Sequence, residues 1–233
     1  MKNKPLLIAL DVNRGADALA LAAQLSPEHC RLKIGKELYT REGRQLVEAL
    51  QKIGYDIFLD LKYHDIPNTV AAALRVAADM GVWMVNVHAS GGRKMLEAAA
   101  DAVAKHQCAP LLIAVTVLTS LGDSELREIG IDEPLATHVA RLTALAADCG
   151  LNGVVCSAHE AGAAKAAHGS DFLTVTPGIR PAGSAADDQT RTMTPAAALQ
   201  AGSDYLVIGR PVTRAEKPAV ALADILASLK AGA

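Results

Sequence analysis

A single-domain (β/α)8 barrel, the TIM barrel, is the architecture predicted for residues 1–233, and three observations support it. Eight short β-type runs alternate with Ala- and Leu-rich stretches of helical spacing. The runs are nearly continuous in apolar residues, which is typical of parallel strands covered by helices. Eight such units in 233 residues suit a closed barrel better than an open doubly wound sheet.

The runs are predicted as strands because each is short, rich in β-branched or large apolar residues, and followed by polar residues or glycine. In chain order they are LLIALDV (6–12), CRLKIG (30–35), YDIFLDLK (55–62), WMVNVHA (83–89), LLIAVTV (111–117), GVVCS (153–157), FLTVTPG (172–178) and YLVIGR (205–210).

The stretches between the runs are predicted as helices because their apolar residues recur three and four positions apart. They span residues 16–25, 43–53, 69–80, 95–104, 135–147 and 158–167. A last helix is predicted for residues 217–229, with Pro218 in its first turn, where a missing N–H is tolerated.

The composition indicates an enzyme or a binder of small molecules. The net charge is −2, so no basic excess suggests nucleic acid, and no apolar stretch approaches the roughly 20 residues of a membrane span. The apolar run at residues 6–10 is too short for the core of a signal peptide. The four cysteines form no CxxC pair, so we expect reduced, mostly buried thiols in a cytoplasmic protein, not a disulfide or zinc site.

Polar residues stand at or near the end of every predicted strand. In a (β/α)8 barrel the active site lies at these carboxyl ends. The residues are Asp11, Lys33, Asp60, Lys62, His88, Thr116, Ser157, Thr176 and Arg210. A purely structural barrel does not need so many polar groups on one rim, so this rim is the candidate site.

Charges of alternating sign end the third run. Asp60 and Lys62 are two apart on a strand, so their side chains are predicted to point the same way. Lys33 ends the neighbouring strand and Asp65 follows in the loop, which predicts an array Lys33–Asp60–Lys62–Asp65. Opposite neighbours keep all four groups ionised at low dielectric. A structural salt-bridge network at the barrel mouth is the alternative interpretation.

The array fits a decarboxylation without a cofactor. The sequence contains no P-loop, no GxGxxG after the first strand and no HExxH. A lysine held charged between carboxylates can donate a proton to a carbanion, and a carboxylate beside a substrate carboxylate disfavours the ground state. A Schiff-base lysine is the competing idea, but flanking acids raise the lysine pKa that this chemistry needs lowered.

A second candidate region follows the seventh and eighth predicted strands. The segment TPGIRPAGSAADDQTR, residues 176–191, is long and rich in Gly, Ala and Ser, which is typical of an active-site lid. In IGRPVTRA, residues 208–215, Gly209 permits close backbone approach and Arg210 can hold a phosphate with two parallel hydrogen bonds. These two loops form the usual phosphate site of this fold.

The motifs resemble those of the orotidine 5′-phosphate decarboxylase family. DLKYHDIPNT at 60–69 is similar to the family signature DxKxxDIPxT. The resemblance, to the bacterial form of the enzyme, covers essentially the whole chain. Its other segments are LIALDVN (7–13), LKIGKELYTREG (32–43), VTVLTS (115–120), TPGIRPAG (176–183), DDQTR (187–191) and VIGRPVTRA (207–215).

The resemblance implies a decarboxylase that forms UMP from orotidine 5′-monophosphate with no metal and no organic cofactor. It implies that Lys62 donates the proton to C6 of the pyrimidine and that Asp60 lies beside the departing carboxylate. Lys33 and Asp11 are implied to bind the ribose hydroxyls, with Lys33 also holding Asp60. Thr119 is implied to contact the pyrimidine.

The resemblance also implies a phosphate site and a homodimer. The implied phosphate-binding residues are Arg180, Gln189, Gly209 and Arg210, with Gln189 on the lid. Asp65 and Thr69 are implied to reach the active site of the partner subunit, and Ile66, in the same motif, is a further candidate for substrate binding. Spacing alone does not predict that Asp65 crosses an interface.

Two other functions stay open. Sugar-phosphate decarboxylases and aldolases of the same barrel group resemble this chain in a D-x-K-x-x-D core but use magnesium and an enediolate. IPNT at 66–69 and Gln189 favour the orotidine enzyme over them. The other alternative is a catalytically idle nucleotide-binding barrel, which would have no need of Lys62.

Overall fold

Eight parallel strands close into a barrel in the order in which they occur in the chain. The computed structural model describes residues 4–181 and 192–231. The strands are β1 (Leu6–Ala9), β2 (Arg31–Gly35), β3 (Ile57–Tyr63), β4 (Met84–His88), β5 (Leu111–Val115), β6 (Gly153–Val155), β7 (Leu173–Thr176) and β8 (Tyr205–Ile208). β8 pairs with β1, with Ile8 opposite Ile208. The predicted (β/α)8 barrel is confirmed, and each strand coincides with a predicted run.

Helices follow the strands on the outside of the barrel. They are α1 (Gly15–Ala22), α2 (Lys36–Lys52), α3 (Pro67–Asp79), α4 (Arg93–Ala104), α5 (Asp123–Glu128), α6 (Leu135–Asp148), α7 (Ala158–His168), α8 (Pro195–Gln200), α9 (Arg210–Thr213) and α10 (Pro218–Ala231). The six predicted inter-strand helices and the last helix are all present. The short helices α5, α8 and α9 are outside the predicted ranges, because four to six residues are too few to display helical periodicity.

Helix α2 begins earlier than predicted. Helical turns start at Lys36, directly after β2, and Gly43 interrupts them with φ 62° and ψ −151°. Only glycine adopts this conformation readily, so the predicted start at residue 43 is the start of the second helical segment. The first segment carries Glu42, whose carboxylate accepts a hydrogen bond of 2.7 Å from the Gly15 N–H and so joins α2 to the start of α1.

Strand alternation divides the core into two layers. Inward-facing residues fill the barrel: Leu7, Phe58, Met84, Ile113, Leu173, Val175 and Tyr205. At the amino ends of the strands, the Arg31 guanidinium lies 4.1 Å from the centroid of the Trp83 ring. Outward-facing residues such as Ile8 and Leu59 pack with helix residues such as Leu74 in a second, larger cluster. The interior is therefore filled towards its amino end, which leaves room only at the carboxyl end.

Gly153 allows β6 to approach β7. A Cβ at this position would overlap the backbone carbonyl of Leu173, which is opposite Gly153 in the strand register. Backbone atoms cannot move aside as a flexible side chain can. The glycine is therefore required by the closure of the barrel at this pair of strands.

Three of the four cysteines, Cys30, Cys149 and Cys156, are buried and Cys108 is exposed, and all four are free thiols, as predicted. Burial raises the pKa of the Cys30 thiol to about 12, against a smaller opposing effect of Lys4. None of the helices in the described part of the chain is long and apolar enough to cross a membrane.

Candidate active site

The carboxyl ends of the strands surround a cavity of about 610 Å³, which is within the range of small-molecule sites. Inward-facing apolar residues line part of it: Ala9, Phe58, Val115, Val155 and Val207. Its charged lining comes from two regions. One is a group of acids and lysines from the ends of β1, β2 and β3, and the other is a group of arginines that follow β7 and β8.

Lys33, Asp60 and Lys62 form a row of alternating charge on one wall of the cavity. The Lys62 Nζ lies 2.6 Å from Asp60 Oδ1, and the Lys33 Nζ lies 3.3 Å from Asp60 Oδ2. Lys33 extends the row to Asp11, with 3.6 Å between its Nζ and Asp11 Oδ1. The predicted association of these residues is confirmed, and each oxygen of the Asp60 carboxylate faces a different ammonium group.

Asp60 remains ionised although it is buried. Burial on its own would raise the pKa of this carboxyl group. The ammonium groups of Lys33 and Lys62 and hydrogen bonds from Lys62 and Asn86 outweigh that effect, so the pKa of Asp60 lies below its ordinary value. The cavity wall therefore presents a carboxylate with a fixed negative charge.

Lys62 has a backbone conformation that a regular strand would not allow. Its φ is +52°, in the left-handed region, which costs a non-glycine residue about 1–3 kcal/mol. The pairing of β3 with β4 steps from Leu59–Val85 to Tyr63–Val87, so that β3 carries two extra residues there. The Lys62 side chain thus reaches Asp60 from an irregular strand, and not from the regular alternation that predicted the contact.

Asn86 is a site residue that was not predicted from the sequence. It is fully buried on β4. Its Oδ1 accepts a 2.8 Å hydrogen bond from the Lys62 N–H, and its Nδ2 donates a 2.7 Å hydrogen bond to Asp60 Oδ1. A signal was present in the sequence, since an amide inside the apolar run MVNV needs buried hydrogen-bond partners.

The second polar region contains the predicted phosphate-binding residues that the structure describes. Arg180, Gly209 and Arg210 line the cavity, and Arg214, which was not predicted, lines it as well. Arg180 Nε is buried without a hydrogen-bond partner among the described residues, although its Nη1 donates to the Ile179 carbonyl. A buried cationic nitrogen without a partner is costly, which favours a ligand that supplies one. Gln189 lies outside the described residues.

Gly209 and Thr119 both line the cavity. A Cβ at position 209 would stand 3.4 Å from Asp11 Oδ2, an ordinary van der Waals contact at the cavity wall. Thr119 lies in the loop after β5 and lines the cavity beside Leu118 and Ser120.

Three predicted rim residues do not line the cavity. Thr116, Ser157 and Thr176 are buried, and none of them is among the residues that line it. The hydroxyls of Thr116 and Thr176 donate to the backbone carbonyls of Val155 and Tyr205, and the Ser157 hydroxyl caps the start of α7. The physical reason is strand alternation, because an inward-facing valine precedes each threonine and turns the threonine outward.

His88 also lies outside the cavity lining. Its ring centroid is 5.5 Å from that of His64, on the loop after β3. Burial lowers the pKa of His88 to about 4, with smaller contributions from His64, Lys36 and Lys62. His88 is therefore neutral at neutral pH.

Asp65, Ile66 and Thr69 are exposed and do not line the cavity of their own chain. The Asp65 carboxylate accepts a hydrogen bond from the Ile66 N–H, and in residues 4–181 and 192–231 it forms no ion pair. The four-charge array predicted from spacing is therefore wrong for Asp65 within one chain. The loop that follows β3 turns away from the barrel before Asp65 is reached.

The described residues contain no group of three or more His, Cys, Asp or Glu side chains arranged to hold a metal ion.

Comparison with known proteins gives a family match over almost the whole chain. The model of the family described as "Orotidine 5′-phosphate decarboxylase / HUMPS family" matches residues 4–225. The orotidine 5′-phosphate decarboxylase of Teredinibacter turnerae is 59% identical over 225 residues, which are 97% of this chain and 97% of that protein. That of Chromobacterium violaceum is 62% identical over 218 residues, 94% of this chain and 88% of its own.

Solved structures give the same fold. The crystal structure of orotidine 5′-phosphate decarboxylase from Lactobacillus acidophilus has a TM-score of 0.86 and 38% identity, and covers 97% of this chain and 99% of its own. A crystal structure from Geobacillus kaustophilus, described as an uncharacterized conserved protein, has a TM-score of 0.84 and 39% identity. The match covers 97% of this chain and 100% of that one.

Proposed function

Because the chain belongs to the orotidine 5′-phosphate decarboxylase / HUMPS family, we propose that it is a carboxy-lyase converting orotidine 5′-monophosphate to UMP and CO2 in pyrimidine biosynthesis. The observation that carries the proposal is the buried Asp60 carboxylate held between two ammonium groups, at 3.3 Å from Lys33 and 2.6 Å from Lys62. The proposed reaction uses no metal ion and no organic cofactor. The proposed location of the protein is the cytoplasm.

The charged row supplies what this reaction needs. Departure of CO2 leaves an electron pair on an sp2 carbon with little resonance stabilisation, so the required acceleration lies in the upper enzyme range, about 15–23 kcal/mol. Asp60 lies beside the substrate carboxylate, whose charge is disfavoured there and is relieved as CO2 departs. The Lys62 ammonium stabilises the developing carbanion and then donates a proton to C6. Lys62 becomes a neutral amine in this step and regains a proton from solvent afterwards.

The remaining cavity residues position the substrate. Asp11 and Lys33 bind the ribose hydroxyls, because their 3.6 Å ion pair presents both an acceptor and a donor at the cavity wall. Thr119 contacts the pyrimidine from the loop after β5. These contacts hold C6 of the pyrimidine next to Lys62, and this orientation of the reacting groups lowers part of the activation barrier.

The phosphate binds at the ends of β7 and β8. Arg180 and Arg210 provide the positive charge, Gly209 permits close approach of the backbone, and Gln189, in the segment that the sequence predicts as a lid, contributes a further contact. The buried Arg180 Nε, which has no hydrogen-bond partner in the described part of the chain, supports this role, since a phosphate oxygen would supply an acceptor. Binding energy from the phosphate, far from C6, is available to orient the reacting groups.

The active unit is a homodimer in which Asp65 and Thr69 reach the cavity of the partner subunit, with Ile66 close to that substrate. All three are exposed in the isolated chain, Ile66 to 67%, so they are accessible to a partner subunit. Asp65 from the partner would complete the alternation of charge beyond Lys62. The subunit interface therefore completes each site.

A direct assay tests the proposal. The purified protein is mixed with orotidine 5′-monophosphate in excess EDTA, and loss of orotate absorbance and formation of UMP are followed. Rapid, EDTA-resistant formation of UMP is expected. No loss, with magnesium-dependent activity on a sugar phosphate, would assign the chain to the sister enzymes of the barrel group. Binding of UMP with no turnover of either substrate would identify a nucleotide-binding protein.

A further inference from the structure

We propose that Asn86 is a positioning residue that holds both the backbone of Lys62 and the carboxylate of Asp60 in their reactive arrangement. The inference rests on the proposed decarboxylation and goes beyond it, since Asn86 touches neither the cavity nor the substrate. Three observations carry it: the hydrogen bonds of the amide, its burial, and the irregular pairing of β3 with β4.

The Asn86 side chain replaces the backbone pairing that is lost in β3. Between Leu59–Val85 and Tyr63–Val87 the two strands are out of regular register, so the Lys62 N–H has no strand carbonyl opposite it. Asn86 Oδ1 accepts this N–H at 2.8 Å. The bond is made at the residue with φ +52°, so it stabilises the conformation in which the lysine side chain turns towards Asp60.

The same amide fixes the rotation of the Asp60 carboxylate. Asp60 Oδ1 accepts hydrogen bonds from Asn86 Nδ2 at 2.7 Å and from Lys62 Nζ at 2.6 Å, while Oδ2 lies 3.3 Å from the Lys33 Nζ. A carboxylate rotates easily about its last side-chain bond when it has a single partner. With two donors on one oxygen and an ammonium on the other, its orientation towards the cavity is defined.

Only a primary amide satisfies both partners at this position. The Lys62 N–H needs an acceptor and Asp60 needs a donor, and both groups must come from one buried side chain of fixed length. Aspartate would oppose Asp60 with a second negative charge. Leucine, which is similar in size, would leave the Lys62 N–H and the Asp60 carboxylate without the hydrogen bonds that Asn86 provides. The buried amide in an otherwise apolar strand is explained by this double requirement.

The test compares Asn86→Leu, Asn86→Asp and Asn86→Ser with the matched control Thr176→Val. Thr176 is also fully buried on a strand, but it does not line the cavity, and among the described residues its hydroxyl bonds the Tyr205 carbonyl. Asn86→Leu is expected to lower kcat about 10- to 100-fold with KM changed less than about threefold, because its partners act at the reacting atoms. The Thr176→Val variant is expected to lose thermal stability but keep wild-type kcat.

The pH profile gives a second readout. The titratable groups that face Asp60 are Lys33 from β2, Lys62 from its own strand and His88 from β4, and Asp11 faces Lys33. Loss of the Asn86 donor destabilises the ionised form of Asp60 and raises its pKa, so the acid limb of the kcat profile moves to higher pH. The displacement is expected to be larger in Asn86→Asp, which adds a negative charge beside Asp60. If the acid limb moves by the same amount when His88 is also replaced by Gln, the displacement arises from Asp60 and not from His88.

Amide hydrogen exchange of Lys62 provides a readout that needs no turnover. Its N–H is expected to lose protection in Asn86→Leu and keep it in Thr176→Val. Should Asn86→Leu not fold, Asn86→Ser, whose hydroxyl can serve one partner, is expected to show the same changes in smaller degree. Wild-type kcat, an unmoved acid limb and unchanged Lys62 protection in the Asn86 variants would overturn the proposal. If the wild type forms no UMP, the proposed function fails, and exchange at Lys62 alone decides whether Asn86 holds this backbone.

Discussion

Asp60 and its two lysines add little net stability to the barrel, so a functional reason for them is required. Moving a charge from water into a protein interior costs several kcal/mol per ion even after relaxation. An ion pair at 4 Å returns about 4 kcal/mol at an effective dielectric constant of 20. The two effects nearly cancel, so a well-packed apolar row would stabilise the barrel as well as Lys33, Asp60 and Lys62 do. The row is therefore best explained by chemistry at the cavity.

Replacing Lys62 with alanine is expected to remove nearly all decarboxylation. The change removes both the proton donor and the positive charge nearest the developing carbanion, and the combined loss in kcat is at least about 10⁴-fold. Stopped assays of UMP formation at high enzyme concentration would measure the residual rate. The exposed Lys36, the next lysine after Lys33, serves as the control position, and Lys36→Ala should stay close to wild type. Near-normal turnover of Lys62→Ala would rule out Lys62 as the proton donor.

Replacing Arg210 with alanine is expected to lower kcat/KM for the full substrate by about 100-fold, as loss of a charge-assisted hydrogen bond pair of about 3 kcal/mol would. The substrate without its phosphate, orotidine, should react equally slowly with the wild type and the variant. Arg44→Ala, on the exposed face of α2, is the matched control. Equal losses on both substrates would show that Arg210 supports the fold and not the phosphate.

At the scale of the element, a strand that is regular in its sequence pattern can be irregular in structure where the site requires it. β1, β2 and β8 keep strict alternation, so their inward residues form the interior and the cavity lining. β3 departs from it at the position where Lys62 is needed. β6 solves a different problem, because Gly153 provides the space that the Leu173 carbonyl occupies. Bulges and glycines thus adjust a repeated element to one site and one closure.

Gly153→Ala is expected to destabilise the protein by about 3 kcal/mol, the upper end of the usual cost of overpacking, because the obstacle is backbone. Chemical denaturation would measure the loss. Gly122→Ala is a suitable comparison: the nearest atom to its new Cβ is Glu125 Oε2 at 3.2 Å, at the end of a mobile side chain, and the expected loss is below about 1 kcal/mol. Equal losses in the two variants would mean that β6 and β7 can separate without cost.

At the scale of the whole molecule, the barrel gathers residues that are distant in the chain and leaves one member of the predicted four-charge array outside. Asp11, Lys33, Asp60 and Arg210 meet at one cavity although they span most of the sequence. Asp65, only three residues after Lys62, is exposed. A second copy of the chain is the source proposed for the missing carboxylate.

Mixed dimers test that arrangement. Asp65→Asn and Lys62→Ala are each expected to be inactive alone. Mixing them under conditions of subunit exchange should recover about a quarter of the wild-type sites, because half of the dimers are mixed and each contains one intact site. The control pair, Lys33→Ala with Lys62→Ala, should recover nothing, since both residues act in their own chain. No recovery in the first mixture would show that Asp65 does not serve the partner.

The barrel and most of the charged residues of the cavity could be predicted from the sequence. Periodicity identified the eight strands, because alternation and apolar runs are properties of neighbouring residues. The position of the charges was equally readable, since strand ends in this fold share one rim, and Asp11, Lys33, Asp60, Lys62 and Arg210 all line the cavity.

Other features depended on how strands distant in the sequence pair. The register of β3 against β4 turns Lys62 into the left-handed region and brings Asn86 to it, 24 residues away in the chain. Thr116 and Thr176 also stand at strand ends, but pairing of their strands places the preceding valines inside the barrel, and alternation then turns the threonines outward. A sequence pattern specifies which residues can face a site, but contacts between strands decide which of them do, because hydrogen-bond register is a property of a pair of strands and not of either one.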